Sequence, residues 1–151
     1  MKTILAAGLL AGALDLAYLF VFLALKFPPL NAPRTLQGIA AGALGREAAL
    51  KGGWATAALG LALHFVIALG AAAVFYAASR WLRFLVARWC ISGVLYGVAV
   101  WLVMNLVVLP YFSATPPRAF PPPSWAWILG AHVLCVGLPI AWVMRRGGAR
   151  L

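Results

Sequence analysis

The sequence predicts an all-α polytopic membrane protein with four transmembrane helices in a bundle. Three observations carry this. Of the 151 residues, 66% are hydrophobic and only 9% charged, and the mean hydropathy is +1.01; soluble domains are nearer half apolar and a quarter charged. The apolar residues gather in four runs, roughly 4–26, 54–79, 89–111 and 125–144, each close to the ~20 residues that span a hydrocarbon layer. None of the runs alternates polar and apolar residues as a barrel strand does. The chain reads as a single membrane domain.

The first run is unbroken from Ile4 to Leu25 except for one carboxylate, Asp15, near its middle, and Lys26-Phe27-Pro28-Pro29 closes it. It is longer than the roughly 7–15 apolar residues of a signal peptide, so it is expected to be a retained helix. Ser79-Arg80 closes the second run, Leu109-Pro110 the third and Arg145-Arg146 the fourth, proline because it denies a helical donor and arginine because it seeks water. Between the first two runs, residues 34–51 can form one or two short helices lying in the interface or dipping into a groove, with Leu36, Ile39, Ala43 and Leu50 toward the membrane. The loop after the third run carries Pro110, Pro116, Pro117, Pro121, Pro122 and Pro123 and is expected to be extended.

Twelve Lys and Arg against two acids give a net charge of +10. The basic residues punctuate apolar runs, a pattern of membrane topology rather than of nucleic-acid binding. With the N-terminus inside, seven basic residues fall on that side and five on the other, so a bacterial inner membrane with both termini cytoplasmic is expected. Arg80, Arg83, Arg88, Arg145 and Arg146 are then placed at anionic headgroups. Trp54, Trp81, Trp89 and Trp125 fall at helix ends, as interfacial anchors do. Cys90 and Cys135 differ in depth by more than ~10 Å, too far for a disulfide.

Gly8-Leu-Leu-Ala-Gly12 in the first run matches Gly93-Val-Leu-Tyr-Gly97 in the third, and the second and fourth runs carry one histidine each, His64 and His132. This pattern suggests a parallel 2+2 internal repeat. Asp15 follows Gly12 on the same helical face, and an acid at that depth costs on the order of 3 kcal/mol, so it should face another helix. His64 is the most economical partner. Tyr18, one turn beyond Asp15, and Asn105 extend the polar set. Two readings stand side by side. These groups are hydrogen-bonded glue between helices, as in a structural subunit or homo-oligomer, or they form a proton-responsive transport or sensing site.

Bis-histidine haem b, held by His64 and His132, is a further alternative, although glycine faces should leave little room for it. His132 and Cys135, at i and i+3, supply too few ligands for a metal site. No nucleophile–base pair or phosphate loop is present, so no enzymatic activity is expected.

The run His64-Phe-Val-Ile-Ala, the Gly93–Gly97 motif, Pro110 with its proline-rich loop, and Gly130-Ala-His132-Val ending in Arg145-Arg146 resemble the YagU-like bacterial inner-membrane proteins. The resemblance implies a four-helix inner-membrane protein with a link to acid resistance, and places His64 and His132 at that family's helix histidines. It implies no activity.

Overall fold

The computed structural model describes residues 1–114, 120–121 and 125–148. Four helices are long and apolar enough to cross a membrane: α1 (Lys2–Lys26), α4 (Gly53–Trp81), α6 (Trp89–Phe112) and α7 (Trp125–Gly147). Between them lie α2 (Ala32–Leu44), α3 (Arg46–Lys51) and α5 (Phe84–Ala87). The expected spans are all present. The last is longer than expected because Arg145 and Arg146 continue the helix; arginine is a good helix former, and a change of solvent need not end a helix.

α1 and α7 form the centre of the arrangement, α4 packs on α1, and α6 packs on α7. The core is small-residue and aliphatic: Ala7 and Ala11 from α1, Ala72 and Phe75 from α4, and Val136, Ile140, Ala141 and Met144 from α7. Elsewhere the spans are bare. No spanning window is more than 33% buried, and Leu5, Val21, Val66, Val74, Ile91, Leu95 and Leu134 stand exposed on the outer faces. An apolar exterior around a thin core is the pattern of helices solvated by hydrocarbon.

Pro110 does not end its helix. Leu109 N–H donates to Met104 O, and Leu138 N–H donates to Val133 O, both bonds reaching back five residues. Each donor directly precedes a proline, Pro110 in one case and Pro139 in the other. Proline supplies no N–H and its ring crowds the carbonyl four residues earlier. A widened turn over Met104–Val108 and another over His132–Gly137 absorb that defect and let both helices continue.

The first long connection is helical, as expected. Asn31 Oδ1 accepts from Arg34 N–H at 3.0 Å and caps α2. Gly45 and Gly53, at φ +78° and +59°, turn the chain at either end of α3 where a side chain would be strained. Buried Gln37 donates to Gly53 O at 2.9 Å, and the Thr56 hydroxyl donates to Ala49 O at 2.6 Å, tying α2 and α3 to the start of α4. The Leu36 carbonyl lies on Gly60, where any Cβ would collide with it. Ile39 and Ala43, expected on the membrane side, border a cavity, where α2 lies down on α4 at Gly60. Past α6, Ala114 N–H donates to Gly42 O at 2.7 Å, so the two connections meet. Most of the proline-rich stretch lies outside the described residues.

Candidate functional site

Asp15, His64 and His132 border one cavity of about 420 Å³ at the α2 end of the bundle. α1 contributes Gly12, Asp15 and Leu19, α4 contributes residues from Leu63 to Ala71, and α6 contributes Val100, Met104 and Val108. Gly38, Ile39 and Gly42 of α2 close one side. The close approach of helices expected from the glycine faces is real, but the space lies elsewhere, between α4 and α6. Those two helices meet through Tyr96, whose hydroxyl donates to Ala71 O at 2.6 Å and whose ring stands 5.0 Å from that of Phe75.

The Asp15–His64 proximity is present, though not as a hydrogen bond. His64 Nε2 stands 4.0 Å from Asp15 Oδ2, beyond hydrogen-bond reach, and 2.9 Å from Gly12 O. A carbonyl oxygen only accepts, so Nε2 carries a hydrogen, and in the neutral form of the ring Nδ1 keeps the lone pair. His132 has the opposite arrangement. Its Nδ1 is 2.8 Å from Ile128 O, so Nδ1 donates and Nε2 keeps the lone pair. Among the described residues, Asp15 has no hydrogen-bond donor. At about 22% and 14% side-chain exposure, Asp15 and His64 are largely withdrawn from solvent.

Asn105 does not join this site. Its Nδ2 donates to Trp101 O at 2.8 Å on its own helix, a local bond that satisfies the amide where it stands. Tyr18 is half-buried, with its hydroxyl beside Gly130 at the α1–α7 seam, and does not border the cavity. Cys90 and Cys135 are both free thiols. Among the described residues, no three of His, Cys, Asp and Glu converge on a point where a metal ion could sit. Haem ligation through His64 Nε2 would require that nitrogen to give up Gly12 O. The helix expected to lie in the interface or dip into a groove forms the α2 wall of this cavity; Pro139, whose widened turn begins at His132, escaped the sequence reading.

The glycine motifs meet their partners in matching register. Gly8 faces Leu69, and Gly93 faces Gly137 and Leu138; Gly12 faces Phe65, and Gly97 faces Val133. A constant offset maps Gly8 and Gly12 onto Gly93 and Gly97, and another maps His64 onto His132. The same offsets carry Phe65 onto Val133 and Leu69 onto Gly137. They also pair cavity residues: Asp15 with Val100, Leu19 with Met104, and Ala68 with Val136.

At the opposite end, Lys2, Arg80 and Arg146 border a second cavity of about 590 Å³ with Thr3, Tyr76 and Val143. No side-chain carboxylate of the described residues lies there: Glu47 pairs with Lys51 at 2.7 Å beside α2, and Asp15 is in the first cavity. Arg146 stacks on Trp142 with its guanidinium carbon 4.0 Å from the ring centre, and Arg145 reaches over Trp89.

Comparison with known proteins gives no match: no family model, curated protein or solved structure aligns significantly with the chain.

Proposed function

We propose that the chain is an integral protein of a bacterial inner membrane, with both termini cytoplasmic, that takes up and releases protons at Asp15, His64 and His132 as part of small-scale transport or sensing. One observation carries the proposal. Three titratable groups from three spans border a single cavity, and the hydrogen-bond partners of both imidazoles leave a lone pair on each ring. Histidine changes charge within the physiological range, and an ionisable group inside a membrane is a functional candidate by default. Glue alone would be expected to use all of its donors and acceptors on neighbouring helices, whereas Asp15 receives no donor from the described residues.

The matching register of the two glycine–histidine pairs supports a 2+2 duplication that relates α1 to α6 and α4 to α7. The family likeness to YagU-like proteins rests on the motifs around His64, Gly93–Gly97 and His132. A partner role for anionic headgroups is supported by the convergence of Lys2, Arg80 and Arg146 on a cavity with no side-chain carboxylate among its described lining residues.

Proton uptake is measured on the purified chain in nanodiscs by titrating a lightly buffered solution with a pH dye. The expected result is pH-dependent uptake that falls in Asp15→Asn, His64→Gln and His132→Gln. Titration curves identical to wild type in all three folded variants would refute the assignment.

A further inference from the structure

We propose that the cavity between α4 and α6 binds an amphipathic monocation, a protonated amine carrying an apolar body. The proposal rests on the proton reading above and adds the class of ligand. Charge comes first. The chain is strongly basic overall, yet among the described residues no Lys or Arg borders this cavity, and the charged group there is a carboxylate. A carboxylate largely withdrawn from solvent that receives no donor from the described residues calls for a cation or a proton.

Hydrogen-bond polarity narrows this further. Gly12 O takes the hydrogen of His64 and Ile128 O takes that of His132, so the two neutral rings have only lone pairs left. Together with Asp15 the titratable groups offer acceptors and no donor, so an anion would meet no opposite charge among the described lining residues. A protonated amine supplies both positive charge and several N–H donors. A bare metal ion is disfavoured because the three groups do not converge on one point.

The walls choose the rest of the molecule. Leu63, Ile67, Val100, Met104, Val108 and Phe112 are apolar, and a volume of about 420 Å³ falls within the range of roughly 300–1,000 Å³ that holds a small organic ligand. The space has a structural cause in sequence. The offset that maps Gly12 onto Gly97 maps Ala11 onto Tyr96. Ala11 is fully buried in the core that α1 shares with α4 and α7, and α1 and α7 pack along their length. At the corresponding place in α6 stands a tyrosine, braced against Phe75 and Ala71 O. It holds α6 off α4, and above it the two helices part.

Protons compete for the same groups. Asp15 on α1, His64 on α4 and His132 on α7 face the space, while α2 and α6 contribute no titratable side chain to its lining. Protonating the imidazoles adds positive charge and removes the lone pairs, so the amine is released as pH falls.

The test uses the full chain in phosphatidylcholine nanodiscs and equilibrium dialysis with three probes of one shape: 4-phenylbutylamine, 4-phenylbutanol and 5-phenylpentanoate. The expected result is saturable one-to-one binding of the amine at pH 8, at least tenfold weaker at pH 5, with the alcohol and the acid at the level of empty discs. Asp15→Asn lowers amine affinity at least tenfold. Met104→Trp, which fills the space from the α6 wall without altering a titratable group, lowers it as well, so the outcome does not hang on one variant's folding. Absence of saturable amine binding by the wild type, equal binding of the acid, or full binding by both folded variants overturns the proposal. Proton uptake measured without amine separates the two ideas: normal uptake with no amine binding removes the ligand class and leaves the proton site standing.

Discussion

Gly97→Ala tests the packing on which the site rests. A Cβ at this position would lie 2.6 Å from both His132 O and Val133 Cα, and 2.9 Å from Val133 N. All three are backbone atoms and none can swing aside. Ordinary contact starts at 3.4 Å, so α6 and α7 must separate by about 0.8 Å at this level. A gap of roughly 0.5–1 Å forfeits a quarter to a half of the dispersion well for the atoms along the seam, and overpacking of this kind costs about 1–3 kcal/mol. That corresponds to a rise of about five- to 150-fold in the unfolding equilibrium constant. Alanine also favours helix over glycine by up to ~1 kcal/mol, which would mask part of the loss. Gly70→Ala measures that gain alone, because a Cβ there meets nothing within 4 Å. The assay is reversible unfolding in mixed micelles followed by helical circular dichroism. The two variants should differ by about 1–3 kcal/mol, with Gly97→Ala the weaker. Because the clash falls on the carbonyl of His132 itself, the ring nitrogen NMR shifts of His132 should move in Gly97→Ala and stay fixed in Gly70→Ala. Equal stability of the two variants, within about 0.5 kcal/mol, would refute the idea that α6 and α7 meet backbone to backbone.

Tyr96→Ala should let α4 and α6 close, read as a shorter distance between spin labels at Val74 and Leu95, both on exposed faces. Tyr96→Phe keeps the brace and loses only the bond to Ala71 O, at a cost of about 1 kcal/mol in stability. Pro139→Ala supplies a donor that lets the widened turn revert to ordinary helix; the fold should survive, while proton uptake loses the share due to His132. Arg80→Gln with Arg146→Gln should remove phosphatidylglycerol that stays bound in native mass spectrometry, since headgroup contacts are worth about 1 kcal/mol per basic residue.

The four long helices were legible because hydrophobic run length is a one-dimensional property, and the first long connection was legible as short helices for the same reason. The meeting of Asp15, His64 and His132 in one place followed from depth and from the stripes of small residues. The precise bonds did not. Sequence offered Asp15 as the partner of His64, but Gly12 has no side chain to cover its carbonyl, and the imidazole reaches that oxygen instead. Asn105 was placed with the site on depth alone, whereas its orientation on α6 lets it satisfy itself on Trp101 O. Pro110 was read as a helix end by its usual effect, and the alternative, a bond from the preceding residue reaching back five, is not written in composition. The role of Gly60 was hidden because its neighbour is a helix from a distant connection.

The departures from equivalence between the two halves account for the cavity better than the equivalence does. Gly8 and Gly12 hold α4 against α1 as Gly93 and Gly97 hold α7 against α6, and a fully symmetric arrangement would also close α4 on α6 as α1 closes on α7. Three differences prevent this. Tyr96 replaces the alanine of the other half and braces the inner end. Prolines 110 and 139 fall in α6 and α7 without counterparts in α1 and α4, and their widened turns lie beside Met104 and begin at His132. Only the first half carries α2, which lies on Gly60 and covers one side of the opening. Each difference is local, yet all three act on the same gap. The carboxylate differs in the same sense: Asp15 has Val100 as its counterpart, so the cavity is acidic on one wall and apolar on the other. An opening with a single charged wall can orient a ligand that has one charged end, which a symmetric pair of acids at this depth could not do without a second cation.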